Sequence, residues 1–433
     1  MIALLFALAA AQGADTLRLG PGIHAGPLVI TRRTVVLGAP GAVLRGAGTG
    51  TVLDIRAAGR GTVVRGLRIE ASGTDPDYYD AGVRIAADSV TLEDLVVRDV
   101  LFGVYLHEAR AAVLRGLDIE GRPRGRESER GDGIYLYHAP DVVAERNRIA
   151  GVRDGIFFSY SDGAVVRDNR VERVRFGLHY MYSHHNRFER NVFTDNAAGA
   201  VIMFSNGLEI VDNVFAWNAG SRSYGLVLQQ TTEPVVRGNL LVGNGIGVFF
   251  DNVIRGDFTG NLVAGNWLGL ELFANSEDTR VTGNAILANT FDAAGGGAGA
   301  GRYRFCAGGR GNYWGRAAAR GYDLDGDGVL DAPHATNSPL VELARGREGL
   351  RLLLQSPAAR ALEWAERTFP VFDVSGAVDE CPLAEPPRQR AFAALPPTPA
   401  GRAGGGAGQA TAGALAFLVG LAVLTVGRRR TTT

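Results

Sequence analysis

Apolar residues in the middle of the chain come in short period-two segments, such as Ile134-Tyr135-Leu136 and Leu178-His179-Tyr180. These runs are too short and too rich in β-branched neighbours for helices, and they read as strands. The polar and small residues between them keep a beat. Asparagine recurs every 22 residues at Asn147, Asn169, Asn191 and Asn213, then after a four-residue insertion at Asn239 and Asn261 and one residue late at Asn284. Glycine keeps the same register half a repeat later, at Gly133, Gly155, Gly177, Gly199, Gly225, Gly247 and Gly269. A fixed period of this length means stacked copies of one unit. Asparagine and glycine at the junctions are expected to supply the left-handed or tight backbone that bends strand into strand. The pattern predicts an all-β fold, a single-stranded right-handed parallel β-helix with one turn per repeat. Equivalent residues then stack about 4.8 Å apart, and asparagines can ladder through their amides.

The frame extends backwards with weaker markers, Gly116, Asp94 and Gly66 in the asparagine slot and Gly103 and Gly82 in the glycine slot. Two insertions interrupt it, around Asp75 to Asp80 and over Arg122 to Arg130; loops bulging from a solenoid are frequent binding elements. About ten or eleven rungs are expected, with the solenoid occupying 14–292. A cap with a Gly-rich loop and an Asp-rich turn follows over 293–337. Leu340, Leu343, Leu350, Leu353, Leu354 and Leu362 give a short helical or irregular extension over 338–385, suited to capping the core or docking on a membrane partner. A Pro/Gly/Ala-rich linker over 386–412 leads to a hydrophobic tail, 413–433.

Composition adds compartment. Forty-five basic residues, all arginine, balance 45 acidic ones to a net charge of zero, which removes the electrostatic case for nucleic acid. Residues 1–13 read as a signal peptide: an apolar run too short to span a bilayer, then small residues. The apolar run Gly413 to Gly427, followed by Arg428-Arg429-Arg430, reads as a membrane anchor or a processed sorting tail with its arginines on the cytoplasmic side. As a helix it reaches about 22 Å, against roughly 30 Å of hydrocarbon. In an exported chain the two cysteines, Cys306 and Cys381, are expected to form one disulfide tying the C-terminal segment to the last rung, with two free thiols or a redox or metal pair as the alternatives.

Candidate chemistry lies on the strand after each marker glycine. The second residue after it is expected to point outward and reads Tyr105, Tyr135, Phe157, His179; the fourth reads His107, Tyr137, Ser159, Met181, Met203. With Tyr182, the aromatics of these columns form a candidate interaction surface. Met181 and Met203 are the only methionines besides the initiator, and they share one slot on adjacent rungs. Thioethers are soft donors that favour Cu(I), and imidazoles complete such sites. His179 shares the face, and His184 and His185 follow in the next turn, so these five residues form a candidate copper site. Methionines filling a groove or forming a soft protein contact are the alternative.

Three motifs together resemble the NosD family of nitrous oxide reductase maturation proteins. They are Phe176-Gly177-Leu178-His179-Tyr180-Met181-Tyr182-Ser183, then Val201-Ile202-Met203-Phe204-Ser205, and Gly311-Asn312-Tyr313-Trp314 with Tyr322-Asp323-Leu324-Asp325-Gly326-Asp327-Gly328. The resemblance implies a non-catalytic periplasmic β-helix. It implies as partners an ABC-transporter permease and ATPase, a copper chaperone lipoprotein and nitrous oxide reductase, whose copper centres the family helps to assemble. It adds weight to Leu178–Ser183 and Met203 as a copper-transfer or docking surface, while His184, His185 and the C-terminal tail depart from the family pattern.

Two further readings stay open. Asp323, Asp325 and Asp327 are spaced like the start of a calcium loop, but its twelfth position is His334 where a bidentate glutamate is needed, so an Asp/Gly structural turn competes with calcium. Asp132 and Asp154, before successive marker glycines, have the separation of a retaining glycosidase pair, and aromatics beside them could stack on sugars. That makes a carbohydrate-active enzyme the rival function, with a structural or adhesive surface solenoid as a third.

Overall fold

The computed structural model describes residues 15–122, 126–219, 223–295, 303–319, 321–335, 356–358, 361 and 378–387. The signal peptide, the linker from 388 onward, the hydrophobic tail and most of the 338–385 extension therefore lie outside the described residues. Two compact units divide the chain, residues 1–153 and 154–433. Each is a parallel β-helix.

Every full rung carries three strands. In the first unit Thr91–Glu93, Val96–Arg98 and Phe102–His107 pair in parallel with Val113–Arg115, Asp118–Glu120 and Ile134–Tyr137. In the second, Arg187–Glu189, Val192–Thr194 and Ala198–Asn206 pair with Glu209–Val211, Val214–Ala216 and Tyr224–Thr232. The middle residue of each three-residue strand points inward, so Phe188 stacks over Ile210 and Phe193 over Phe215, all buried. The sequence pattern marked two strands per rung; the third, just before each asparagine, is as short as the one after it and has no marker residue of its own. The sheets also carry more rungs than the ten or eleven expected, because strands from Asp15 onward join without an asparagine, and Tyr313–Trp314 joins behind Asn312, which falls 28 residues after Asn284 and so off the beat.

The asparagines do form a ladder. In the second unit the Nδ2 of Asn169 donates to Oδ1 of Asn191 at 2.9 Å, and the same bond repeats from Asn191 to Asn213, Asn239, Asn261, Asn284 and Asn312. From Asn191 onward each amide in the run also donates inward to a strand carbonyl, as Asn213 does to Phe188 at 2.9 Å. A second ladder runs five residues later through Asn196, Asn218, Asn244, Asn266 and Asn289. Asp379 ends the first ladder: its Oδ2 accepts from the Asn312 amide and from Trp314 Nε1 at 2.8 Å. Burial raises the Asp379 carboxyl above its ordinary range, against the lowering bonds from Trp314, Asn312 and Cys381. Cys306 and Cys381 are bonded, with Cα atoms 5.6 Å apart, and hold this segment in place.

The backbone work is divided differently from the expectation. The left-handed turn is taken by the residue before each ladder asparagine from Asn169 to Asn284, namely Asp168, Arg190, Asp212, Gly238, Gly260 and Gly283, at φ between +51° and +68°. The marker glycines answer a different need: a Cβ on Gly177 would lie 2.5 Å from the carbonyl oxygen of Gly199 in the next rung. Only glycine lets the stacked backbones approach that closely.

Candidate functional site

The strand Phe176–Met181 lies in the second unit between Asp154–Ser159 and Ala198–Asn206, in parallel register that sets His179 opposite Phe157 and Val201, and Met181 opposite Ser159 and Met203. His179, Met181, Phe157 and Met203 are all half-buried and share one sheet face, because residues two apart on a strand point the same way. Directly paired residues on neighbouring strands sit about 5 Å apart, so the two thioethers are neighbours.

His179 is held on three sides. Its ring stacks on Phe157 with centroids 4.3 Å apart and 9° between planes, and meets Phe176 edge-on at 5.3 Å. Its Nδ1 lies 2.9 Å from Oδ2 of Asp154. The same carboxylate accepts Arg175 Nε at 2.8 Å and Nη2 at 2.5 Å, while the guanidinium lies 4.5 Å over the Phe176 ring. Burial alone would raise the Asp154 carboxyl; the bonds from His179 and Arg175 outweigh it and hold it below the ordinary carboxylate range. An ionised carboxylate at Nδ1 fixes that nitrogen as the N–H donor, so the lone pair of neutral His179 is on Nε2. A carboxylate behind one imidazole nitrogen is the usual outer support of a metal-binding histidine. Two thioethers and such an imidazole form a soft, open donor set.

The other candidate ligands have different partners. His184 and His185 sit past the left-handed Tyr182, on the turn, where His184 Nδ1 accepts the backbone N–H of Asn206 at 3.2 Å and the exposed His185 packs over Gly207. Asp323, Asp325 and Asp327 have ligand oxygens within 4.8 Å of one another, and among the described residues no other group of three His, Cys, Asp or Glu does. Their oxygens also accept backbone N–H groups of Gly326, Gly328, Asp327 and Val329, the bonding of an Asp/Gly turn.

The aromatic columns are less open than expected. Tyr105 and Tyr135 are 4% and 9% exposed, because Tyr79 of the first insertion folds onto them, stacking on Tyr105 at 4.5 Å. His107 and Tyr137 stack on each other at 5.6 Å and stay half-buried. Tyr182 is exposed and forms the centre of a stack the sequence reading missed: Tyr160, Tyr182 and Phe204, with centroids 5.3 and 4.7 Å apart and near-parallel planes. All three are left-handed, at φ +52°, +49° and +56°. Bulky side chains rarely adopt that conformation, and strain of this kind, about 1–3 kcal/mol per residue, persists where the surroundings impose it. Their shared slot, fifth after the marker glycine, was available as a signal. So was the role of Asp154, one rung before His179, although its diagonal reach was not. The two aspartates of the glycosidase reading are fully buried, Asp132 against Arg153 at 3.1 Å and Asp154 against Arg175 and His179. Neither carboxylate reaches a surface where a sugar could meet it.

Comparison with known proteins follows the same residues. The family model described as periplasmic copper-binding protein (NosD) matches residues 115–319. A protein of Pseudomonas aeruginosa named probable ABC transporter binding protein NosD is 34% identical over 399 residues, covering 87% of this chain and 90% of that protein. One of the same name from Stutzerimonas stutzeri is 31% identical, covering 88% and 89%. Among solved structures, the A-module of mannuronan C-5 epimerase AlgE6 of Azotobacter vinelandii superposes with a TM-score of 0.44 at 18% identity, covering 67% of this chain and 84% of that one. A tailspike protein of bacteriophage CBA120 reaches 0.48 at 14% identity, covering 68% and 56%.

Proposed function

This chain belongs to the NosD family, and from that premise we propose that it is an accessory maturation factor that handles Cu(I) during assembly of the copper centres of nitrous oxide reductase. The observation that carries the reading is the face built by Met181, Met203 and the Asp154-anchored His179. Such a donor set suits a cargo that must be released: it is soft enough to select Cu(I), and no cysteine thiolate is available to trap the metal.

In this reading the chain works in the periplasm as an assembly protein, not an enzyme. Its partners are an ABC-transporter permease and ATPase, a copper chaperone lipoprotein that delivers the metal, and the reductase that receives it. The stack of Tyr160, Tyr182 and Phe204, beside the methionines in sequence and strain-held, is the docking edge for one of them. The hydrophobic tail, outside the described residues, is assigned to the inner membrane as an anchor, and Asp323, Asp325 and Asp327 to a weak structural calcium ion. Among the described residues no helix is long and apolar enough to cross a membrane.

The test is anaerobic Cu(I) titration of the purified chain beside a Met181→Leu/Met203→Leu variant. The native chain should take up copper at least about tenfold more tightly, about 1.4 kcal/mol. Equal, weak uptake by both would remove the metal role and leave docking, to be tested by co-purification with the transporter and the reductase.

A further inference from the structure

The first insertion builds a second site, wholly within the first unit. Asp54, Arg56, Arg84, Asp80, Thr51 and Tyr78 line a cavity of about 600 Å³, inside the range of roughly 300–1,000 Å³ used for small ligands. Its wall is rigid for an identifiable reason. Tyr79 is left-handed, at φ +52°, and is clamped by its stack on Tyr105 and by Phe102 at 5.6 Å. With Tyr79 turned in, Tyr78 is thrown outward and stands 75% exposed at the rim. Gly73 allows the fold-back, since a Cβ there would lie 1.8 Å from Asp80 Oδ2.

The polar groups are arranged and incompletely used. Asp54, 5% exposed, accepts Arg84 Nε and Nη2 at 2.9 and 2.7 Å and Arg56 Nε at 3.2 Å. This leaves Nη1 of Arg84 and both Nη groups of Arg56 without protein hydrogen bonds among the described residues. Asp80, 6% exposed, accepts the Asp75 backbone N–H at 3.0 Å through Oδ2, and its Oδ1 takes no hydrogen bond there. That oxygen belongs to a residue lining the cavity and is free to accept a hydrogen bond from a ligand there.

We propose that this cavity binds one pyranose unit of a neutral glycan. Vicinal hydroxyls both donate and accept, which matches the Asp80 Oδ1 acceptor beside the spare guanidinium donors. The exposed Tyr78 ring offers an apolar face to the C–H side of the sugar. Charge disfavours the other ligand classes: Asp54, Asp75 and Asp80 against Arg56 and Arg84 repel an anion, and among the described residues no three metal-ligating side chains of this cavity come within 4.8 Å of one another, as a hard cation needs.

The test uses the full chain, titrated by calorimetry with maltohexaose, cellohexaose, chitohexaose and an oligogalacturonate, beside Tyr78→Ala and Asp80→Asn variants whose fold is checked by circular dichroism. Saturable binding of at least one neutral oligosaccharide is expected, weakened about tenfold or more in each variant, with Cu(I) uptake unchanged. The proposal is overturned if none of the neutral oligosaccharides binds, if both variants bind as the native chain does, or if only the oligogalacturonate binds. Because these residues are remote in sequence from Met181 and Met203, failure here leaves the copper reading intact, and the reverse holds.

Discussion

Replacing Asn213 with alanine tests whether the ladder holds the second unit together. Asn213 is fully buried; its Oδ1 accepts both the backbone N–H and the Nδ2 of Asn191 at 2.9 Å, and its own Nδ2 donates to Phe188, Val211 and Asn239 at 2.9, 3.1 and 3.0 Å. Alanine keeps none of these. It strands the Asn191 N–H and one Asn191 amide hydrogen in the interior and takes one donor from the Phe188 carbonyl. At about 1–3 kcal/mol for each buried group left unsatisfied, the expected loss is roughly 2–6 kcal/mol. That is a large part of the 5–15 kcal/mol typical of a folded domain. Urea unfolding followed by circular dichroism measures it, with the exposed Asn206→Ala as control. A loss under about 1 kcal/mol, or one no greater than the control, would refute the ladder as a stabilising element and reduce it to a by-product of the repeat.

Four other outcomes follow from the geometry. Gly177→Ala, whose Cβ would press on the Gly199 carbonyl at 2.5 Å, should cost upward of about 3 kcal/mol and reduce soluble yield, since stacked backbone cannot move aside as a side chain can. A Cys306→Ser/Cys381→Ser variant, opening a closure of 75 residues, should lose roughly 2–4 kcal/mol in the same urea assay, the usual range for a bridge of that span. Asp154→Asn should weaken Cu(I) uptake by about 10- to 100-fold while leaving both methionines in place, as removal of an outer-shell partner commonly does; unchanged affinity would detach His179 from the site. Because the folded Asp154 carboxyl is depressed, its stabilisation is present above the unfolded value near about 3.9 and is lost as pH falls through the folded value. Acid titration of Asp154→Asn should therefore lack the part of the native chain's destabilisation that sets in below about pH 4.

The repeat was legible because a solenoid writes its fold into the sequence once per turn. Asn147 to Asn284 and Gly133 to Gly269 encode the parallel β-helix and its main register, and that register alone sets Met181 beside Met203. What the sequence hid was of two kinds. Some features lay on the same beat beneath its stronger markers: the strands before each asparagine, such as Arg187–Glu189, and the fifth-position column where Tyr160, Tyr182 and Phe204 stack. The second ladder, Asn196 to Asn289, was legible on the same 22-residue spacing and simply masked by the first. Other features depend on contacts off the beat. Tyr79 belongs to an insertion, so nothing in the period said that it would close over Tyr105 and Tyr135. Asp379 lies 67 residues beyond the Asn312 it bonds, and no periodicity reaches that far past the last strand.

Taken together, the buried Asp154 and the left-handed aromatics place stiffness and chemistry in the same few rungs. A face that only brings two thioethers and one imidazole to a metal gains little from each ligand, so misplacement by an ångström would cost much of its affinity. Met181 and Met203 are flexible side chains, but their backbone positions are fixed by the register of Phe176–Met181 against Ala198–Asn206, and that register is locked from inside by Tyr180 and Ile202. His179 has even less freedom, pinned by Phe157, Phe176 and Asp154. In the proposed reading, a rigid frame with mobile soft donors at its surface would bind a metal ion without enclosing it, and what is not enclosed could be passed to a partner docked on Tyr160, Tyr182 and Phe204. Substituting Tyr182 by alanine should therefore separate the two steps: Cu(I) uptake by the isolated chain stays within about twofold of native, while delivery of copper to the reductase falls. If uptake falls in parallel with delivery, the aromatic stack belongs to the metal site itself and the docking assignment is wrong.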